Sequence, residues 1–267
     1  MPWRLGGSAF YAAAAAARLG ARTALATRVG PAERDALAAA CDELGIHLVP
    51  LPAAVTTTFA FRAAADGRRE LRLRSRARAI ALQDIPPAVR ETRAVIFASV
   101  AHELDPSLFS GFPRAVRVVE VQGYLRDWDA DGTVRPRRWS APAELLAAAD
   151  AIVVSEEDLG GDEGAVSEWA RSAPVVVTRA ERGSRTHRAD AVHDAEALPV
   201  DAVVDVTGAG DAFSAGLALA LADKRPLADA VRFAHAVASF AVEGVGPSAL
   251  ADRPAVDRRL SAGTLGS

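Results

Sequence analysis

Asp205-Val206-Thr207-Gly208-Ala209-Gly210-Asp211-Ala212-Phe213 is the stretch that decides how this chain is read. It stands between an apolar run, Ala202 to Val204, and a long Ala/Leu-rich helical pattern, Ala212 to Leu221. A Gly-rich turn entering a helix leaves several backbone N–H groups without intrahelical acceptors. With the positive end of the helix dipole, those groups form an anion site. The glycines let a phosphate approach the backbone closely. A carboxylate in such a place needs a chemical reason. Asp211 is placed to take a proton from a hydroxyl attacking that phosphate.

Upstream, Gly6-Gly7-Ser8 leads into an Ala-rich helical run from Ala9 to Leu19. Ser8 is a candidate N-cap and Gly20 a candidate left-handed stop. The double glycine means either close approach to a ligand or a tight turn. Arg22 to Val29 reads as a strand, Pro31 to Leu44 as a helix closed by Gly45, and Ile46 to Leu51 as a second strand. Residues 55–75 break this rhythm. Val55 to Arg62 and Arg69 to Ser75 both alternate with period two around Asp66-Gly67, which is a hairpin signal. The second strand alternates Leu with Arg, giving one apolar and one wet face. The hairpin is expected to be a projecting flap over a site, with an ordinary edge hairpin as the alternative.

From Ala94 the pattern is strand, loop, helix. Strands are expected at Ala94 to Val100, Val116 to Val121, Ala151 to Val154 and Val175 to Thr178. Helices are expected at Ala143 to Ala149 and Asp162 to Ser172, with a short hairpin at Thr186 to Val192. A helix from Pro226 to about Val242 and a last one from Asp252 close the chain. Such alternation predicts a mostly parallel sheet with helices on both faces, a three-layer α/β/α domain. Ligands bind beyond the carboxyl ends of such strands. Ser155 to Asp158, Thr178 to Ser184 and the Asp205 turn are all expected there.

The 267 residues read as a single domain with residues 55–75 as an appendage. Half the residues are apolar and 24% charged, enough for a sizeable core and against wholesale disorder. The net charge of −3 gives no reason to expect nucleic acid or a membrane surface. The arginines between Arg62 and Arg93 read as a solvated basic face. Cys41 is the single cysteine, which excludes a disulfide framework and a thiolate cluster. Ala12 to Ala17 is too short to span a bilayer and no signal peptide is visible, so the expected location is cytoplasmic. An oxidoreductase reading fails, because no G-x-G-x-x-G follows the first strand.

The stretch from Asp205 to Phe213 resembles the signature of the ribokinase-like, or PfkB, carbohydrate kinase family. Gly6-Gly7-Ser8-Ala9 with Arg18 to Ala21 and Arg28-Val29-Gly30 resembles that family's N-terminal signature. Val175 to Thr178 with Gly183-Ser184 resembles its nucleotide-side loop, and Gly244-Val245-Gly246 its C-terminal Gly-rich turn. Glu120-Val-Gln-Gly-Tyr-Leu-Arg126 with Trp128-Asp129 further resembles a branch that includes inositol kinases.

This resemblance implies phosphoryl transfer from ATP, with Mg²⁺, to a hydroxyl of a sugar, cyclitol or nucleoside. It makes Asp211 the base and the N–H groups of Gly208, Ala209 and Gly210 the anion hole. Thr178, Gly183, Asp205, Thr207 and Gly246 would serve the nucleotide. His235 reads as a helix-packing residue, with a nucleotide-pocket role as the alternative. Gly6, Gly7, Ser8, Thr58 and Arg126 would face the acceptor. Ser155 and Asp158 stand where the family has Asn-x-x-Glu, and would meet Mg²⁺ through water. The family's first strand, which carries an acidic substrate ligand, has no counterpart in the four residues before Leu5. An uncovered sheet edge is therefore expected. The alternative reading is a weak or inactive relative that binds a nucleotide or metabolite, and either a monomer or a homodimer fits.

Overall fold

The computed structural model of the chain describes residues 4–63 and 69–264. Helix α1 (Ser8–Arg18) carries a face of buried alanines with Phe10 and Tyr11. Its N-cap is Gly7, with φ 90°, and not Ser8, whose hydroxyl is turned toward other partners. Gly20, with φ 85°, ends the helix as expected. Strand β1 (Ala24–Val29), helix α2 (Pro31–Glu43) and strand β2 (His47–Pro52) form one βαβ unit with the two strands parallel. Strands β3 (Thr58–Ala63) and β4 (Arg69–Ser75) pair antiparallel, as the alternation predicts. Their turn, Asp66-Gly67, lies outside the described residues.

Next come helix α3 (Pro87–Arg90), strand β5 (Ala94–Ala98) and strand β6 (Val116–Glu120). Strands β7 (Arg126–Trp128) and β8 (Val134–Pro136) form a small hairpin closed by Asp131-Gly132. Helix α4 (Ala143–Ala148), strand β9 (Ala151–Ser155) and helices α5 (Glu156–Leu159) and α6 (Glu163–Trp169) follow. Strands β10 (Val175–Thr178), β11 (Ser184–Arg188) and β12 (Ala191–Ala195) precede helices α7 (Ala209–Ala222), α8 (Leu227–Ala241) and α9 (Arg253–Thr264).

Six strands make the main sheet in the order β12-β11-β10-β9-β6-β5. β5, β6, β9 and β10 are parallel, and β11 and β12 antiparallel. The parallel strands are valine-rich because both faces are covered. Alternate residues feed opposite cores. Val118, Val153 and Val176 pack with Phe213, Leu217 and Phe233 of α7 and α8, whereas Val119, Ile152 and Val175 pack with Phe109, Leu145 and Trp169.

The β1–β2 pair is a separate sheet. Leu25 and Val29 nevertheless share one core with Ala94 and Ile96 of β5, and Ala26 shares the other with Val95 and Phe97. Both core layers thus run on across a slot between β1 and β5. Among the described residues no strand fills it, and the uncovered edge expected from the sequence is that of β5. Buried Arg28 ties the small sheet down through Asp84 and the carbonyls of Pro52 (3.2 Å) and Ala79 (3.1 Å).

Two local expectations fail. Ala202 to Val204 is not a strand: the main sheet ends at β12, and this run is held instead by Val204 N–H to the Val242 carbonyl (2.7 Å) at the end of α8. The Asp205 turn therefore does not lie at a strand end, although Ser155–Asp158 and Thr178–Ser184 do. The Arg face of β4 is also not fully wet, because Arg72 pairs with Asp131 of the second hairpin at 3.2 Å.

Candidate active site

The site is built where α7 begins. Gly208 is its N-cap, left-handed at φ 86°. A Cβ there would stand 2.7 Å from the Tyr11 ring, so glycine is required by conformation and by space. Gly210 faces open space. The Ala209 N–H is spent on the Val206 carbonyl (3.2 Å), which removes it from the expected anion hole. The N–H groups of Gly208, Gly210 and Asp211 have no acceptor among the described residues, and these remain to meet an anion.

Asp205 organises the turn instead of facing a ligand alone. It accepts from the Thr207 N–H (3.0 Å) and hydroxyl (2.6 Å) and pairs with Arg4 at 3.2 Å. The Thr207 hydroxyl above all, and then its N–H and Arg4, hold its carboxyl below the usual carboxylate value.

Asp211 is 8% exposed. Burial pushes its carboxyl up to about 6, against the pull of the Ser8 hydroxyl, Arg126 and Glu120. Around it runs one polar network. Gln122 Nε2 donates to Ser8 Oγ and, at 3.5 Å, to Asp211 Oδ1. Arg126 donates to Gln122 Oε1 (3.3 Å) and to Asp158 Oδ1 (3.0 Å). Ser155, N-cap of α5, donates to Asp158 Oδ2 at 2.6 Å. The network thus joins α1, the end of β6, the end of β9 and α7. Its members line one connected cavity of about 3120 Å³ with Gly6, Gly7, Thr58, Thr178 and Gly183.

The other expected residues stand in different relations to the cavity. Gly246 does not line that cavity, while its neighbour Val245 does. Gly183 lines it, but its glycine identity answers to packing, because a Cβ there would meet the Ala195 carbonyl oxygen at 2.0 Å. His235 is buried between α8 and β11, with its Nε2 2.8 Å from Ser184 Oγ and its ring edge-on to Phe213. Burial brings it down to about 4. Thr58 stands at the base of the hairpin and donates to the Thr56 carbonyl at 3.1 Å.

Sequence reasoning assigned no role to Arg4, Tyr11, Glu120 or Gln122. The signal for the last two was in hand, in the Glu120-to-Arg126 motif. Gly123 of that motif is needed because a Cβ would meet the Ser99 carbonyl oxygen at 2.4 Å.

Among the described residues no three His, Cys, Asp or Glu side chains are grouped to hold a metal directly. Mg²⁺ keeps several waters and takes one or two carboxylates together with substrate phosphates. Asp158 already receives Arg126 and Ser155, so its carboxylate fits such an ion through water and does not fit direct ligation.

Residues 3–253 match the family described as pfkB family carbohydrate kinase. The chain belongs to that family. Among solved structures, ribokinase of Arabidopsis thaliana, complexed with ribose and ATP, superposes with a TM-score of 0.74 at 22% identity, over 96% of this chain and 87% of that one. A pyrophosphate-dependent myo-inositol-1 kinase converted into a myo-inositol-3 kinase gives 0.79 at 21% identity, over 97% and 91%. The nucleoside kinase of Methanocaldococcus jannaschii gives 0.72 at 17%, over 96% and 86%. These likenesses establish the ribokinase fold. A search of curated proteins finds no match. Among the described residues no helix is long and apolar enough to cross a membrane.

Proposed function

We propose that this chain is an ATP-dependent phosphotransferase acting on a hydroxyl of a sugar, cyclitol or nucleoside. The observation that carries this reading is Asp211 itself: a buried carboxylate beside free N–H groups at a helix N-terminus. With its carboxyl at about 6, Asp211 is ionised at neutral pH and still basic enough to accept a hydroxyl proton. The N–H groups of Gly208 and Gly210 then receive the transferring phosphoryl oxygens. Little covalent help is needed, because phosphoryl transfer is limited by positioning and charge. Gly6, Gly7, Ser8 and Arg126 border the acceptor side. Thr178 and Gly183 border the donor side, with Asp205 and Thr207 shaping the turn. Asp158 and Ser155 orient water toward Mg²⁺, which when bound with the donor would neutralise phosphate charge.

Both ATP and pyrophosphate are donors among the structural relatives. The chain's own surface favours the nucleotide. Val203, Val204, Val206 and Val245 line the cavity and stand 55–63% exposed, an apolar wall suited to a base and useless to pyrophosphate. A second reading, a weak relative that binds without turnover, draws on the tied carboxylate of Asp158. A screen of sugars, cyclitols and nucleosides with ATP and with pyrophosphate separates these. ATP-dependent phosphorylation supports the proposal; transfer from pyrophosphate alone overturns the donor assignment, and silence with both donors favours the binding module.

A further inference from the structure

Glu120 ends β6 directly beneath the start of α7, and it is 4% exposed. Neither of its carboxyl oxygens finds a donor in good geometry, and the same is true of Ser214 Oγ, which is fully buried. A buried charge without a donor or a cation is among the most costly arrangements in a protein. The cations of the site are spent elsewhere, Arg126 on Gln122 and Asp158, and Arg4 on Asp205. What Glu120 does have within reach is Asp211 and Ser214. These two lie three apart on α7 and so share one face of the helix.

Two carboxylates in contact, with no cation between them, cannot both be ionised. One proton resolves all the unpartnered oxygens. Carried on Glu120, it lets one carboxyl oxygen donate to Asp211, while the Ser214 hydroxyl donates to the other. The asymmetry of the surroundings says which acid keeps it. Asp211 has the Ser8 hydroxyl, Gln122 and the field of Arg126 to support a negative charge; Glu120 has none of these.

We propose that Glu120 is a neutral carboxylic acid that donates a hydrogen bond to Asp211 and, backed by Ser214, positions that carboxylate and keeps it ionised. Because it acts through Asp211, Glu120 is a positioning residue. The inference rests on Asp211 being the base. The charge balance agrees: burial, then the Asp211 charge, raises Glu120 well above the usual carboxylate value, and the hydrogen bond from Glu120 is one of the influences drawing Asp211 down. The other charged groups acting on the pair are Arg126, which lowers Asp211, and Asp158, which raises it. The protons leave such a pair in two steps that belong to both residues.

The test compares Glu120→Gln with Glu120→Met in the full chain. Glutamine keeps a neutral donor and an acceptor in the same shape; methionine fills the space without a donor. In E120M the acid limb of the kcat/KM profile should rise by about one pH unit, with kcat down about tenfold and KM for ATP held within about twofold. E120Q should restore the limb to within about half a unit of the wild type. A limb that moves down by a unit in E120Q would mean that Glu120 is charged and repels Asp211, which overturns the proposal. A measurement independent of turnover is the infrared stretch of a protonated carboxyl group at pH 8. It should be present in the wild type and absent from E120Q, and its absence from the wild type also overturns the proposal. If the band is present while an Asp211→Asn enzyme stays active, the base assignment fails and the placement of the proton stands.

Discussion

Replacing Asp211 by asparagine should stabilise this protein, and by an amount that depends on pH. A carboxyl raised from 3.8 to about 6 in the folded state binds its proton more tightly there than in the unfolded chain. The folded state is therefore favoured below 3.8 and loses that advantage as pH rises through 6. At about 1.4 kcal/mol per pH unit, the burden of ionised Asp211 above pH 7 comes to about 3 kcal/mol. Asparagine is never charged and keeps the shape, so Asp211→Asn should gain most of this at pH 8 and almost nothing at pH 4. In a chain of this size each kcal/mol moves Tm by about 2–4 °C. Thermal unfolding of the two proteins across pH 4–8 should then show curves that meet at the acid end and separate by about 5–10 °C at the alkaline end. Parallel curves, or a mutant that loses stability above pH 6, would refute the reasoning. They would mean that the surrounding donors outweigh burial.

Other perturbations follow from close contacts. Gly208→Ala sets a Cβ 2.7 Å from the Tyr11 ring at a left-handed position, which should cost about 2–4 kcal/mol in urea unfolding and reduce phosphoryl transfer through displaced N–H groups. Gly132→Ala places a Cβ 2.3 Å from the Leu73 carbonyl oxygen, whose own N–H bonds Gly132 at 2.8 Å. It should unclip the β3–β4 hairpin from β7–β8, raise KM for the acceptor and let water compete for ATP; unchanged steady-state kinetics would show that the hairpin is no flap. Arg126→Met removes a cation that draws Asp211 down, so the acid limb of the pH–rate profile should rise, read from initial rates between pH 5 and 8.

What the sequence made legible was whatever is written in local periodicity or in a glycine that shapes its own turn. The 58–75 hairpin announced itself through alternation, and the turn at Gly208 through two glycines before a helix. Residues whose part depends on distant chain stayed hidden. The apolar run from Ala202 to Val204 put the Asp205 turn at an expected strand end, yet among the described residues no strand pairs with that run, and Val203 and Val204 line the cavity instead. Ser8 has the side chain of a cap, but Gln122, over a hundred residues away, claims its hydroxyl. Gly183 answers to the return of β12, which only the folded sheet reveals. Glu120 stood in a motif the sequence displayed, but its place beneath Asp211, ninety residues further along the chain, is set only by the packing of α7 on β6.

The slot between β1 and β5 was anticipated from a resemblance and not from any residue pattern. Its walls explain why β5 is only half-buried in the middle of the fold, whereas β9 is buried along almost its whole length. Edge amides facing a slot lack ladder partners.

The central claim is that Asp211 is the base of a phosphoryl transfer, and it is tested most directly by labelled phosphate transfer from ATP with Asp211→Asn, alongside ATP binding by calorimetry. The account predicts that kcat falls by about 10²–10⁴-fold while the Kd for ATP changes by less than about threefold. Turnover near that of the wild type, with ATP bound equally well, would contradict it.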